Sequence, residues 1–166
     1  MKTLLLSLVI FTFCMNSNSS LGVVSSAFED EKDIPKKYTC ESDNVNPPLT
    51  ITNVPEGAKS LALIVYDPDA PDGNFIHWVM WNIPVKGAIN ENSGPGVQGL
   101  NGKMEFGYTG PCPPSGTHHY HFKAYALDTE LDIAQKSGAK ELEKAMSGHI
   151  LATGELVGLY KKSTSK

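Results

Sequence analysis

The chain has 166 residues with 40% hydrophobic content, enough for one domain with a substantial core. Its formal net charge is −4, and each of its 14 fixed cations is a lysine, because the sequence contains no arginine. An acidic chain without arginine lacks the basic face that nucleic-acid binding needs, so that class of function is not expected. The 15 glycines and 11 prolines favour short strands and turns.

The first predicted element is a secretory signal over residues 1–27. Lys2 precedes an apolar run of about ten residues, which is short for a membrane span. We expect cleavage near Ala27, with a second candidate cut at Ser17-Asn18-Ser19. The alternatives are an uncleaved anchor and a lipid-modified Cys14.

A removed signal implies a secreted or periplasmic protein without stable membrane insertion. The predicted domain then covers residues 28–160, and residues 161–166 form a frayed tail. Cys40 and Cys112 are the two cysteines that remain. An even pair in an exported chain is compatible with one disulfide, and two free, buried thiols are the alternative.

The mature chain reads mainly as short strands between turns. Strands are predicted where apolar residues alternate or form short β-rich runs, at 49–53, 61–66, 77–83, 118–127 and 156–160, with a shorter one near 96–98. Residues 137–152 have helical spacing, with Ser137 as the N-cap and Gly154 beyond the end. The predicted fold is an antiparallel Greek-key β-sandwich with a late helix and a final strand.

Three segments carry polar groups beside proline or glycine at predicted strand ends: Asp67–Pro71, His77-Trp78 and Gly110–Tyr120. Loops at the rim of a β-structure are where binding sites are commonly built. If the strands before Asp67 and after His77 are antiparallel neighbours, these two side chains lie at the same end of the sheet. We expect Asp67 to orient His77 there, or to bind a cationic head group.

His118 and Tyr120 are two residues apart on a strand and therefore face the same side. Together with Asp67 and His77 they would bring a carboxylate, two imidazoles and a phenol to one rim. Imidazolium, phenol and backbone N–H groups donate hydrogen bonds, so the site suits a small anion, especially a phosphoryl group. No cofactor is expected.

Other interpretations of these residues remain open. Each could simply cap a strand or turn. Asp67 and His77 could form the acid–base pair of a hydrolase. The spacing of His119 and His121 is one that a metal could use, although surface histidines are the simpler interpretation. A triad through Ser115 has no strand-to-helix elbow around it.

The chain resembles the phosphatidylethanolamine-binding protein family, in particular its bacterial-type branch, often labelled Raf-kinase-inhibitor-like. The resemblance covers residues 28–160. The matching motifs are Ile34–Cys40, Asn46–Leu49, Asp67–Pro71, His77-Trp78, Asn82-Ile83-Pro84, Gly110–Tyr120, Tyr125–Asp128 and Gly154–Gly158.

This resemblance implies a β-sandwich with an anion pocket for phosphate or phosphorylated head groups. It also implies a binding or regulatory role, such as inhibition of a kinase or a protease, with no common catalytic reaction. A surface-acting inhibitor with a vestigial pocket is the rival. By motif position the pocket would be lined by Asp67, Asp69, Pro71, His77, Gly110, Pro111, Cys112, Pro113, His118 and Tyr120.

Three positions depart from the family pattern. Asn46 stands where serine is usual, and Glu41-Ser42-Asp43 replaces a glycine-containing turn. His119 stands where arginine is usual between His118 and Tyr120. The last change removes a fixed cation and weakens the expectation that this chain handles highly charged ligands.

Overall fold

The computed structural model describes residues 20–163. Most of the predicted signal, residues 1–19, and residues 164–166 of the predicted tail lie outside the described residues, so signal cleavage stays a prediction. Within the described range, no helix has both the length and the apolar character needed to cross a membrane.

The elements of this range are nearly all strands. In chain order they are β1 (Gly22–Val24), β2 (Lys32–Asp33), a 3₁₀ turn (Lys36–Tyr38), β3 (Leu49–Thr52), β4 (Ser60–Asp67), β5 (Phe75–Ile83), β6 (Ala88–Ile89), β7 (Val97–Gln98), β8 (Thr117–Leu127), α1 (Ala139–Met146) and β9 (Ile150–Lys161).

The strands form two sheets. The larger has the order β2-β9-β8-β4-β5-β7, and the smaller has the order β1-β3-β6. Among the strand pairs of residues 20–163, only β2 and β9 run parallel. Leu49 and Ile51 of the small sheet belong to the same buried cluster as Leu63, Trp78 and Phe122 of the large one. This arrangement confirms the predicted mainly β sandwich.

Strand β4 lies at the centre of the larger sheet, between β5 and β8. Its apolar run is continuous because both faces are covered. Leu63 faces the small sheet, while Ile64 packs with Leu142 and Met146 of α1 on the outer side. A strand buried on both faces has no polar alternation, which explains the run from Leu61 to Val65.

The predicted helix over 137–152 is too long. Helix α1 begins after Gly138 and ends at Met146, and Gly148 then adopts a φ of 83° that breaks the helix. The residues from Ile150 to Ala152 instead pair with the end of β8. The apolar residues of this segment happen to continue the spacing of the buried residues of α1. They nevertheless form the start of β9, because they pair with β8.

The fold also begins earlier than residue 28. Leu21 and Val23 are buried in the main core, and β1 pairs antiparallel with β3. A cut after Ala27 would remove this strand. The second candidate cut, at Ser17-Asn18-Ser19, would leave it intact.

Candidate functional site

The candidate site lies at one end of the larger sheet. Strand β4 ends there at Asp67, opposite Phe75 near the start of β5. Strand β8 is antiparallel to β4 and begins at the same end, with His121 opposite Tyr66. The three polar segments therefore meet at one rim, as antiparallel pairing predicts.

Asp67 is buried and binds His118. Its Oδ2 accepts a hydrogen bond from Nδ1 of His118 at 2.8 Å, and its Oδ1 accepts one from the backbone N–H of Asp69 at 2.8 Å. The prediction that Asp67 orients His77 is therefore wrong. Strands β5 and β8 both flank the end of β4, and the carboxylate fixes His118 of β8, which leaves Nε2 of that ring for the cavity.

His77 is oriented by backbone. Its Nδ1 donates to the carbonyl oxygen of Thr109 at 2.6 Å, and the N–H of Thr109 donates back to the carbonyl of His77 at 2.9 Å. Burial lowers the pKa of His77 below its ordinary value of 6.5. The ring is consequently neutral at pH 7, with Nε2 as its free nitrogen.

Tyr120 forms the floor of the pocket. Its ring packs edge-on against His77, with the centroids 5.1 Å apart. Its hydroxyl is buried and has no hydrogen-bond partner within residues 20–163. Burial raises the pKa of Tyr120, and the negative charge of Asp67 adds to the effect, so the phenol remains protonated as a hydrogen-bond donor.

The groups enclose a cavity of about 210 Å³. Eight of the ten predicted residues line it: Asp67, Pro71, His77, Gly110, Cys112, Pro113, His118 and Tyr120. Asp69 and Pro111 are not part of the lining. Five further residues line the cavity without having been predicted: Ala70, Phe75, Lys103, Thr109 and Pro114.

Lys103 adds a fixed cation that the sequence analysis missed. It lies in the loop from Asn101 to Gly107, part of a Gly- and Asn-rich sequence for which no site residue was predicted. Asn101 is buried and holds this loop together, since its Oδ1 accepts the N–H of Lys103 at 2.9 Å and its Nδ2 donates to the carbonyl of Gly107 at 3.0 Å. Lys103 is therefore attached to a braced loop.

Asp69 and His119 lie outside the cavity. Oδ2 of Asp69 accepts hydrogen bonds from the backbone N–H and from Nδ1 of His119, at 2.8 and 2.7 Å. Both side chains are more than 40% exposed. This contact lowers the pKa of Asp69 and fastens the Asp67–Pro71 loop to the first residues of β8.

A disulfide joins Cys40 to Cys112, across a sequence separation of 72 residues. The backbone N–H of Cys40 also donates to the carbonyl of Pro111 at 3.1 Å. Pro111 is thus buried behind the pocket wall and does not line the cavity. The disulfide connects that wall to the segment after the 3₁₀ turn.

A larger cavity of about 520 Å³ lies beside the start of α1 and contains none of the predicted site residues. No group of three or more His, Cys, Asp or Glu side chains within residues 20–163 is placed to hold a metal ion. His119 binds the carboxylate of Asp69, whereas Nδ1 of His121 lies 3.2 Å from Oε1 of Glu155, so the two histidines face separate carboxylates. The predicted site residues therefore converge on the smaller of these two cavities.

Residues 24–161 match the sequence profile of the family described as phosphatidylethanolamine-binding protein. A UPF0098 protein of Pyrococcus abyssi is 48% identical over 171 residues, which is 96% of each chain. The crystal structure of a phosphatidylethanolamine-binding protein homologue from Chlamydia trachomatis has a TM-score of 0.84 and 45% identity, covering 89% of this chain and 100% of that one. The Escherichia coli protein YbcL, described as a member of the mammalian family, has a TM-score of 0.80 and 31% identity, covering 87% and 100%.

Proposed function

The chain belongs to the phosphatidylethanolamine-binding protein family, and from this premise we propose that it binds phosphate or a phosphorylated head group in the pocket at the sheet rim. The observation that carries the proposal is the convergence of His77, His118 and Lys103 on one small cavity. Each of the three can present a positively charged donor to an anion.

The two imidazoles are set up to donate through Nε2. Nδ1 of each ring is already bound, to Thr109 in one case and to Asp67 in the other. When His118 is protonated, Nε2–H can donate to an anion oxygen while Nδ1–H stays on Asp67. A bound anion supplies the negative charge that allows buried His77 to take up a proton as well.

The rest of the pocket favours a ligand with an apolar or cationic portion next to its phosphoryl group. Phe75, Ala70 and Pro71 form an apolar part of the lining. Asp67 contributes a carboxylate, which repels a dianion placed directly against it and attracts an ammonium group. A phosphorylated head group carrying an amine meets both requirements.

We propose that the protein acts by binding, in a regulatory or inhibitory role toward a protein partner such as a kinase or a protease, and that it has no turnover of its own. The hydrolase alternative needed Asp67 beside His77, and Asp67 binds His118 instead. Hydrolysis of phosphoesters or peptides by the purified protein, lost in His77→Ala, would overturn this part of the proposal.

We further propose that the protein works outside the cytoplasm, in a secreted or periplasmic location. The N-terminal pattern of residues 1–19 supports export, and the Cys40–Cys112 bridge is of the kind that persists in oxidising compartments. Fractionation of the native host that finds the chain only in the cytoplasm, with Met1 retained, would contradict it.

Titration calorimetry with phosphorylethanolamine tests the pocket. Loss of one charge-assisted hydrogen bond weakens binding by about 1.5–3 kcal/mol, or roughly ten- to a hundredfold, so His77→Ala and His118→Ala should each show that loss. His149→Ala is the matched control, because His149 is an exposed histidine paired with Asp128 near the opposite end of β8. Unchanged affinity in both pocket variants would place the ligand elsewhere.

A further inference from the structure

A second polar cavity, of about 250 Å³, lies beside the anion pocket. Gly107 and Tyr108 line it, whereas the next two residues, Thr109 and Gly110, line the anion pocket. The two cavities therefore share one stretch of wall. Unlike its neighbour, this second cavity has no Asp, Glu, Lys or His in its described lining.

The wall of the second cavity is rigid because of Asn46. This side chain is 5% exposed and donates from Nδ2 to the carbonyl of Asn90 at 3.0 Å. Its Oδ1 accepts the backbone N–H of Ser93 at 2.9 Å. The amide thus joins two loops, around residues 44–48 and 90–94, into one continuous surface.

Trp78 is 1% exposed and Tyr108 is half-buried, and the polar tip of each is already occupied. Nε1 of Trp78 donates to Oε1 of Gln98 at 2.6 Å, and the Tyr108 hydroxyl donates to the carbonyl of Tyr38 at 2.9 Å. The two rings meet edge to face, with centroids 5.6 Å apart. Phe106, which is 56% exposed, adds an open ring at the rim.

Three amides retain unused hydrogen-bonding capacity. Oδ1 of Asn44 accepts the N–H of Gly110 at 2.8 Å, and Oε1 of Gln98 accepts the Trp78 indole, but the NH₂ group of neither has a protein partner within residues 20–163. The exposed side-chain amide of Asn92 is likewise without a partner in that range. These groups offer donors together with one free acceptor.

One carboxylate adjacent in sequence to the lining, that of Glu91, is not available to the cavity. Glu91 precedes Asn92 in the chain, but its two oxygens accept from Nζ of Lys37 at 2.6 Å and from the hydroxyl of Tyr38 at 2.8 Å. An ion entering the cavity would lose hydration without gaining a counter-charge, which is unfavourable. An uncharged ligand with many hydroxyl groups does not have this disadvantage.

We propose that this cavity binds a neutral polyhydroxy ligand, of the size of one sugar residue. Amide groups match hydroxyls that both donate and accept, and the exposed ring of Phe106 covers part of the apolar C–H face of a sugar ring. The site is separate from the proposed anion site and does not depend on it. It allows the protein to recognise a glycosylated surface while its other pocket takes an anion.

Saturation-transfer NMR with glucose, galactose and N-acetylglucosamine tests this proposal on the purified protein. At least one sugar should bind saturably, with a dissociation constant of about 1–10 mM. Phe106→Ala removes the rim ring, and Asn92→Gly removes an amide at a position where φ is already 51°, so both variants should fold. Each should weaken binding by about two- to tenfold.

Two controls separate this site from its neighbours. Met104→Ala changes another exposed apolar residue of the same loop, one that lines the larger cavity instead, and should leave sugar affinity unchanged. His77→Ala, in the anion pocket, should also leave it unchanged. The proposal is overturned by the absence of saturable transfer for all three sugars. It is overturned equally by binding that survives both Phe106→Ala and Asn92→Gly.

Discussion

The bridge between Cys40 and Cys112 should contribute a large share of the stability of this domain. The perturbation is the double variant Cys40→Ser/Cys112→Ser, which opens a sequence separation of 72 residues. For a loop of that length, the chain-entropy model gives about 4 kcal/mol of lost stability at 25 °C. Both residues are exposed, so serine fits each position without burying an unpaired hydroxyl.

For a domain of this size, about 1 kcal/mol corresponds to about 2–4 °C in melting temperature. The double variant should therefore melt about 8–16 °C below the unreduced wild type in a thermal scan followed by near-UV circular dichroism. Added reductant should lower the wild type by a similar amount and leave the variant unaffected. Reductant thus serves as the internal control for effects of serine itself.

Two results would refute this reasoning. A shift below about 3 °C would show that the loop is already restrained in the unfolded chain or that the bridge strains the native state. Labelling of two free thiols per chain in the unfolded, unreduced exported protein would show that the bridge is absent. The second result would also remove the tie between the pocket wall at Cys112 and the segment at Cys40.

Three further predictions concern the N-terminus, pH and the pocket cation. A chain starting at Phe28 lacks Leu21 and Val23 of the core and should be less stable by about 3–6 kcal/mol in urea unfolding. N-terminal sequencing of the exported protein should accordingly place the cut before Leu21. Burial lowers the pKa of His77, so below about pH 6.5 the unfolded chain binds more protons than the folded chain. The free energy of unfolding should therefore fall as the pH drops through that value. A free energy of unfolding that stays constant from about pH 7.5 to about pH 5.5 contradicts this. Lys103→Gln should weaken sulfate binding by about two- to tenfold, with a smaller loss at high salt, and an unchanged affinity would show that Lys103 is not a ligand contact.

The long strands could be predicted because their residue patterns are local. The apolar run in β4 follows from burial on both faces of the strand, and the alternation in β8 follows from burial on one face. Strands β1, β2 and β6 have only two or three residues each, which is too few for a period to appear. The residues of β1 also lie within the segment predicted to be a signal, residues 1–27.

The convergence of three loops could be predicted, but the partners within the site could not. Asp67 binds His118 of β8, while His77 of β5 binds the carbonyl of Thr109, and no local pattern reveals which of the two strands beside β4 supplies the partner. Lys103 reaches the pocket through a loop braced by Asn101. Nothing in the spacing of a lysine within a Gly- and Asn-rich stretch indicates that placement.

Crystallography of the protein grown with phosphate tests the central claim most directly, since it reports where an anion binds and which atoms contact it. We predict one phosphate in the cavity at the sheet rim, within hydrogen-bond distance of Nε2 of both His77 and His118, with Lys103 turned toward it. Clear density for phosphate only at other places on the surface, with this cavity holding water alone at saturating phosphate, would contradict the account.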